Sequence, residues 1–142
     1  MVNNSKENIF AREKAIKYIG ISKKTEYEVR KKLKGLNIAP EVIDEEIIYL
    51  KELAFIDDED YVLSYIRQAD KMMQYSIYEI KNKLLQKGIK TSIIEDKIEF
   101  LLDNDYENRT VEKLLKGKLK SYEDIKQKAY LFRRGFKYSG RD

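Results

Sequence analysis

The side chains able to do chemistry in this chain are cations, carboxylates and phenols. The 142 residues contain no histidine and no cysteine. That removes the usual general base, the thiolate nucleophile and the commonest zinc ligands. What remains is 29 Lys and Arg against 25 Asp and Glu, together with 11 tyrosines. The cations come in groups: Arg30, Lys31 and Lys34, then Arg67 and Lys71, then Lys81, Lys83 and Lys87, and finally Arg133 and Arg134. Such groups recognise phosphates or carboxylates rather than make and break bonds. Tyrosines beside them can stack on unpaired bases. Tyr75, Tyr122 and Tyr138 are open to that role, whereas Tyr27, Tyr61 and Tyr78 fall at helical spacing and read as core.

The carboxylates concentrate at Asp57-Asp58-Glu59-Asp60. The run lacks the glycine and the ligand spacing of a calcium loop. It reads as a helix start. Asp57 or Asp58 caps orphan backbone N–H groups, and the other acids sit where the helix dipole favours negative charge. Asp103-Asn104-Asp105 reads the same way, as a connection and a cap. No metal, cofactor, small-molecule substrate or catalytic constellation is expected, and the protein reads as a non-enzyme.

Charge is uneven along the chain. The net value is +4. Residues 1–40 carry +6, 41–70 carry −8, 71–102 carry +2 and 103–142 carry +4. One acidic block in a basic chain suits an anionic partner met by the basic faces. No apolar run approaches the ~20 residues of a membrane span, and the N-terminus lacks the pattern of a signal peptide. A cytoplasmic protein without a membrane partner is expected.

Six glycines and one proline, Pro40, leave few breaks, which favours helices. Residues 1–6 read as frayed. A first helix is expected over 7–19, with Phe10, Ala11, Ala15 and Ile19 inward and Gly20 as its stop. Thr25-x-x-Glu28 is a capping box opening a second helix, with Val29, Leu33 and Leu36 inward. Pro40 suits the first position of a third, carrying Val42, Ile43, Ile47, Leu50 and Leu53. The acid run opens a fourth that reaches about Met72. Its apolar face begins at Tyr61 and includes Ile66.

The pattern then returns 51 residues later. Tyr27-Glu-Val-Arg30 falls on Tyr78-Glu-Ile-Lys81, Ile38 on Ile89, and the Thr25 cap on Ser76. A third copy opens at Ser121-x-x-Asp124, with Ile125, Ala129 and Phe132 as its stripe. Its Phe132-Arg-Arg-Gly135-Phe136 turn echoes Leu85-Gln-Lys-Gly88-Ile89. The expected fold is all-α: tandem three-helix repeats in a short, elongated, curved array. The whole chain, 1–142, is read as one domain: a capping helix over 1–24, repeats over 25–73 and 74–119, and an incomplete repeat over 120–142. Asp57, Asp58, Tyr61, Gly88, Gly135 and Phe136 are the expected structural positions.

In their order and spacing, Phe55-Ile-Asp-Asp-Glu-Asp-Tyr61, Ser64-Tyr-Ile-Arg67, Leu84-Leu-Gln-Lys-Gly-Ile89 and Leu131-Phe-Arg-Arg-Gly-Phe136 resemble the RecX family, bacterial regulators of the RecA recombinase. The resemblance covers about residues 10–137. It implies an all-helical repeat protein without enzymatic activity. Such a protein binds RecA and the RecA–ssDNA filament, chiefly restrains recombinase, ATPase and coprotease activity, and in some members binds DNA weakly. Family members continue past the Arg-Arg-Gly-Phe turn into a further helix, so Ile125, Ala129 and Phe132 are expected to lack their usual cover. The ten basic residues from Arg30 to Arg134 named above are the expected contacts with RecA or DNA. Two other readings stand beside this one: a helical scaffold for a different protein, and a direct DNA binder.

Overall fold

The structure, a computed structural model, describes residues 2–137. These form eight α-helices in an all-α array: α1 Lys6–Ile21, α2 Glu26–Gly35, α3 Pro40–Glu52, α4 Asp58–Met72, α5 Ile77–Gln86, α6 Thr91–Leu101, α7 Tyr106–Lys116 and α8 Asp124–Arg133. They fall into two compact units. The first is Met1–Tyr61 with Lys87–Ile89, and the second is Val62–Gln86 with Lys90–Asp142.

In the first unit α1, α2 and α3 pack on one another. Ala11 and Ala15, one turn apart on α1, let its backbone approach Val29 and Leu33 of α2 and Ile43, Ile47 and Leu50 of α3. This alanine face turns Phe10 away, leaving it 44% exposed rather than inward. Pro40 occupies the first turn of α3, as its missing N–H allows. Leu53 lies past the helix end and is exposed. Gly20 does not stop α1. The helix runs through it and ends at an extended Ser22, because Gly20 is not among the left-handed positions that close a helix. Nor is the N-terminal segment frayed as expected. The Ser5 hydroxyl accepts from the Asn8 N–H at 3.2 Å, and Asn3 donates to Glu45 at 3.1 Å.

An ionic cluster crosses this unit. Glu46 on α3 is 1% exposed. It accepts from Arg12 Nε at 2.6 Å and Nη2 at 3.1 Å, and from Asn8 at 3.3 Å. The Arg12 guanidinium also lies 4.6 Å from the Tyr49 ring centroid. Among the acids of α3, Glu46 alone falls on the stripe of Val42, Ile43 and Leu50, so its helical spacing would have revealed it, while its partner Arg12 lies 34 residues away.

In the second unit the core takes Val62, Ile66 and Ala69 from α4, Ile80 and Leu84 from α5, and Ile94 and Ile98 from α6. Tyr106, Thr110, Val111 and Leu114 come from α7, and Leu131 and Phe136 from α8 and its turn. Tyr106 is fully buried and donates its hydroxyl to the Tyr75 carbonyl at 2.7 Å. Its spacing to Thr110 and Val111 would have revealed it. One expectation for α8 fails. Its cap position is Glu123, not Ser121, because turns over 117–122 delay the helix start. Ile125 and Phe132 are 81% and 82% exposed, and Ala129 is exposed as well. The inward face instead runs through Gln127, which donates to the Leu119 carbonyl, and Leu131.

Five helix ends among the described residues close in the left-handed region, at Asn37 (φ 60), Ala54 (φ 60), Met73 (φ 48), Gly88 (φ 78) and Gly135 (φ 81). The glycines are required by neighbours as well as by φ. A Cβ at Gly88 would lie 2.2 Å from the Tyr27 Cβ, and one at Gly135 would lie 2.7 Å from Tyr78 Cδ1. Tyr27 and Tyr78 are therefore covers laid over these turns. They are 48% and 59% exposed, not the core residues that their spacing suggested.

Candidate functional site

The basic residues divide by what holds them. Three are committed internally. Arg30 on α2 donates from Nη1 to Asp44 at 2.6 Å and from Nε to Glu26 at 2.9 Å. The bonds to Asp44 and Glu26 raise its pKa. Lys87 lies 3.2 Å from Glu28, and that bond raises its pKa. Arg134 reaches Glu79 through Nε and Nη2, the Tyr130 hydroxyl at 2.9 Å and the Gln74 carbonyl. Burial alone would lower its pKa, but the Glu79 contacts outweigh that and raise it.

Lys87 and Arg134 belong to two clamps built alike. In the first, the Thr25 hydroxyl accepts from Glu28 N–H at 3.2 Å and donates to the Lys87 carbonyl at 2.6 Å. The Glu28 carboxylate accepts from Thr25 N–H at 3.1 Å. In the second, the Ser76 hydroxyl accepts from Glu79 N–H at 3.0 Å and donates to the Arg134 carbonyl at 2.6 Å. Each capping hydroxyl thus grips the residue just before a left-handed glycine. An acid from another segment satisfies the next orphan N–H: Asp58 accepts from Glu26 at 2.9 Å, and Glu107 accepts from Ile77 at 3.0 Å. Sequence reading assigned the caps but not the hydroxyls' second bonds, because these partners lie far along the chain.

Two of the four acids in the 57–60 run act as caps. Asp57 accepts from the Asp60 N–H at 3.0 Å and opens α4, while Asp58 serves α2. Tyr61 is half-buried, and burial raises its phenol pKa, with Glu28 adding to the effect. Burial also raises the Asp58 pKa above its ordinary 3.8, against the opposing bond from Glu26 N–H. The folded state therefore holds the Asp58 proton more tightly than the unfolded chain does. Stability from this group is present at low pH and falls as pH rises from 3.8 through the raised folded value. Asp58→Asn keeps an acceptor but cannot ionise. Its stability relative to the parent is expected to increase across that window and then level off, as measured by urea denaturation at stepped pH.

The other expected contacts are held less firmly. Lys31, Lys34, Arg67, Lys71, Lys83 and Arg133 are exposed, and none makes a side-chain bond or ion pair among the described residues. Lys81 is half-buried on α5. Arg67 and Lys71 share one face of α4, one turn apart. Tyr75 and Tyr122 are 37% and 42% exposed, and Tyr138 lies outside the described residues.

Two concavities accompany these cations. In the first unit a groove of about 660 Å³ between α2 and α3 is lined by Tyr27, Arg30, Lys31, Lys34, Ile38, Pro40, Ile43 and Asp44. In the second, a hollow of about 570 Å³ includes Tyr75, Glu79, Lys113, Lys118, Tyr130 and Arg134. Lys118 and Arg134 lie 5.2 and 5.4 Å from the Tyr130 ring centroid. Burial raises the Tyr130 phenol pKa, but these cations outweigh it and lower the net value. Among the described residues no group of three or more acids could hold a metal ion, and no helix is long and apolar enough to cross a membrane.

Residues 11–50, spanning α1 to α3, match the family model described as RecX, first three-helix domain. A regulatory protein RecX of Streptococcus agalactiae serotype III is 38% identical over 99 residues, covering 70% of this chain and 38% of its own length. That of Finegoldia magna is 32% identical over 133 residues, covering 87% of this chain and 64% of its own. The chain thus spans 38% to 64% of the length of these two curated relatives. The crystal structure of RecX from Lactobacillus salivarius superposes with a TM-score of 0.77 at 30% identity, covering 93% of this chain and 90% of that one. The likeness in sequence and fold over nearly all of a solved RecX chain places this protein in the RecX family of regulatory proteins.

Proposed function

We propose that this protein regulates the RecA recombinase without catalysing a reaction, by binding RecA and its filament on single-stranded DNA and restraining filament activity. Weak contact with DNA accompanies that binding. The reading rests on family membership. The observation that carries it into this chain is the set of exposed cations on α2, α4, α5 and α8 without internal partners. Exposed cations that form no internal bond or ion pair can meet an anionic partner. Several weak contacts along a repeating filament would act together.

The test is RecA ATPase on single-stranded DNA, titrated with the protein at two salt concentrations. Inhibition is expected, and it should weaken at high salt. Charge reversal at Arg67, Lys71, Lys83 and Arg133 should weaken inhibition about tenfold or more, with only a modest fall in thermal stability, since all four are exposed and Lys71, Lys83 and Arg133 end their helices. Full inhibition by this variant would reject the role of these residues. No effect of the parent protein on RecA would reject the function.

A further inference from the structure

The groove between α2 and α3 is apolar below and cationic at the rim. Ile38 and Ile43, each 6% exposed, form its floor with Pro40. Lys31 and Lys34 stand on its edge, one helical turn apart, about 4.5 Å along the axis. Arg30 is there too, but Glu26 and Asp44 already occupy its guanidinium. The two lysines are the unspent charges of the groove. The repeat does not require them: the matching positions 51 residues on are Asn82 and Leu85, on a helix that folds without them. Tyr27, half out of the groove, adds a phenol at the rim.

We infer that this groove receives an apolar side chain from an acidic helical segment of a partner protein, with carboxylates of that segment on Lys31 and Lys34. Assigning the segment to RecA rests on the function proposed above. The chemistry favours a protein over nucleic acid. Ile38, Pro40 and Ile43 reward an apolar anchor, which a phosphate backbone lacks. An amphipathic helix with one large apolar residue and glutamates three or four positions away matches the spacing of the two lysines.

The test uses isotope-labelled protein and three probes: a synthetic helical peptide with leucine flanked by glutamates, the same peptide with lysines replacing the glutamates, and an oligo-dT. The acidic peptide is expected to shift backbone amides at Tyr27, Lys31, Lys34, Ile38 and Ile43, with the basic peptide at least tenfold weaker. Lys31→Glu with Lys34→Glu should abolish those shifts and weaken RecA–ssDNA filament binding about tenfold. Lys31→Ala with Lys34→Ala should give an intermediate loss. Absence of shifts in the groove, equal binding of the basic peptide, or the same amides answering to oligo-dT would each overturn the inference. If the parent protein ignores RecA filaments yet seats the acidic peptide, the RecA reading fails and the groove assignment stands. If filaments bind the parent and both lysine variants equally, the groove assignment fails and the RecA reading stands.

Discussion

Arg12→Ala is expected to destabilise the first unit by about 3–5 kcal/mol, the loss typical of breaking a buried ion pair from one side. The variant leaves the Glu46 carboxylate, 1% exposed, with only the Asn8 amide as a close partner. It also removes the guanidinium from the Tyr49 ring and from the carbonyl of Asn3. A loss of that size is a large share of the ~5–15 kcal/mol that holds a domain folded. Glu46→Ala should cost less, since Arg12 is 16% exposed and can turn outward. Replacing both, Arg12→Met with Glu46→Leu, should recover most of the loss, because apolar side chains of similar volume commonly substitute for such a pair. Urea denaturation followed by far-ultraviolet circular dichroism, run as a double-mutant cycle, checks this. If Arg12→Ala costs under 1 kcal/mol, the pair is not what joins α1 to α3.

Gly88→Ala is the second large loss, expected at about 2–5 kcal/mol. Left-handed backbone costs an L-residue about 1–2 kcal/mol, and overpacking adds typically 1–3. The obstacle at Gly88 is specific. The new methyl would meet Tyr27 Cβ at 2.2 Å and Cγ at 2.4 Å. Tyr27→Ala therefore should not rescue Gly88→Ala, since alanine keeps the offending Cβ, whereas Tyr27→Gly should remove the steric part. Gly135→Ala should be milder, because the new methyl would meet Tyr78 at longer distances, Cδ1 at 2.7 Å and Cβ at 2.8 Å, against 2.2 Å to the Tyr27 Cβ at Gly88. Equal losses at the two glycines, or rescue by Tyr27→Ala, would refute the account of the turn.

Much of the helical plan is legible in the sequence because its signals are local. The Thr25 capping box, Pro40 at a helix start and the acids before α4 each act within a few residues. The apolar period of α2, α3 and α5 also gives their inward faces directly. The failures share a cause. Periodicity marks an apolar stripe but not what covers it: the stripe of Ile125 and Phe132 on α8 is its exposed face. Tyr27 and Tyr78 misled in the same way, for their cover is a distant turn and leaves half of each ring in water. Among the contact candidates, Arg134 looks like any basic residue until Glu79 is beside it, 55 positions earlier in the chain. Lys87 and Arg134 owe their commitment to pairing that no local rule foresees, whereas Arg30 adds the distant Asp44 to a local i,i+4 partner, Glu26.

The left-handed turn at Asn37 differs from its two glycine counterparts in one atom that matters. A tyrosine lies against the turn at Gly88 and at Gly135, and there a β-carbon has no room. At Asn37 the β-carbon is present and φ is still 60. The interlock is thus polar in the sense of a plug and socket, and this socket is filled. A second molecule offering its own tyrosine could not seat there in the same way, so raising the protein concentration would not string copies together through this joint.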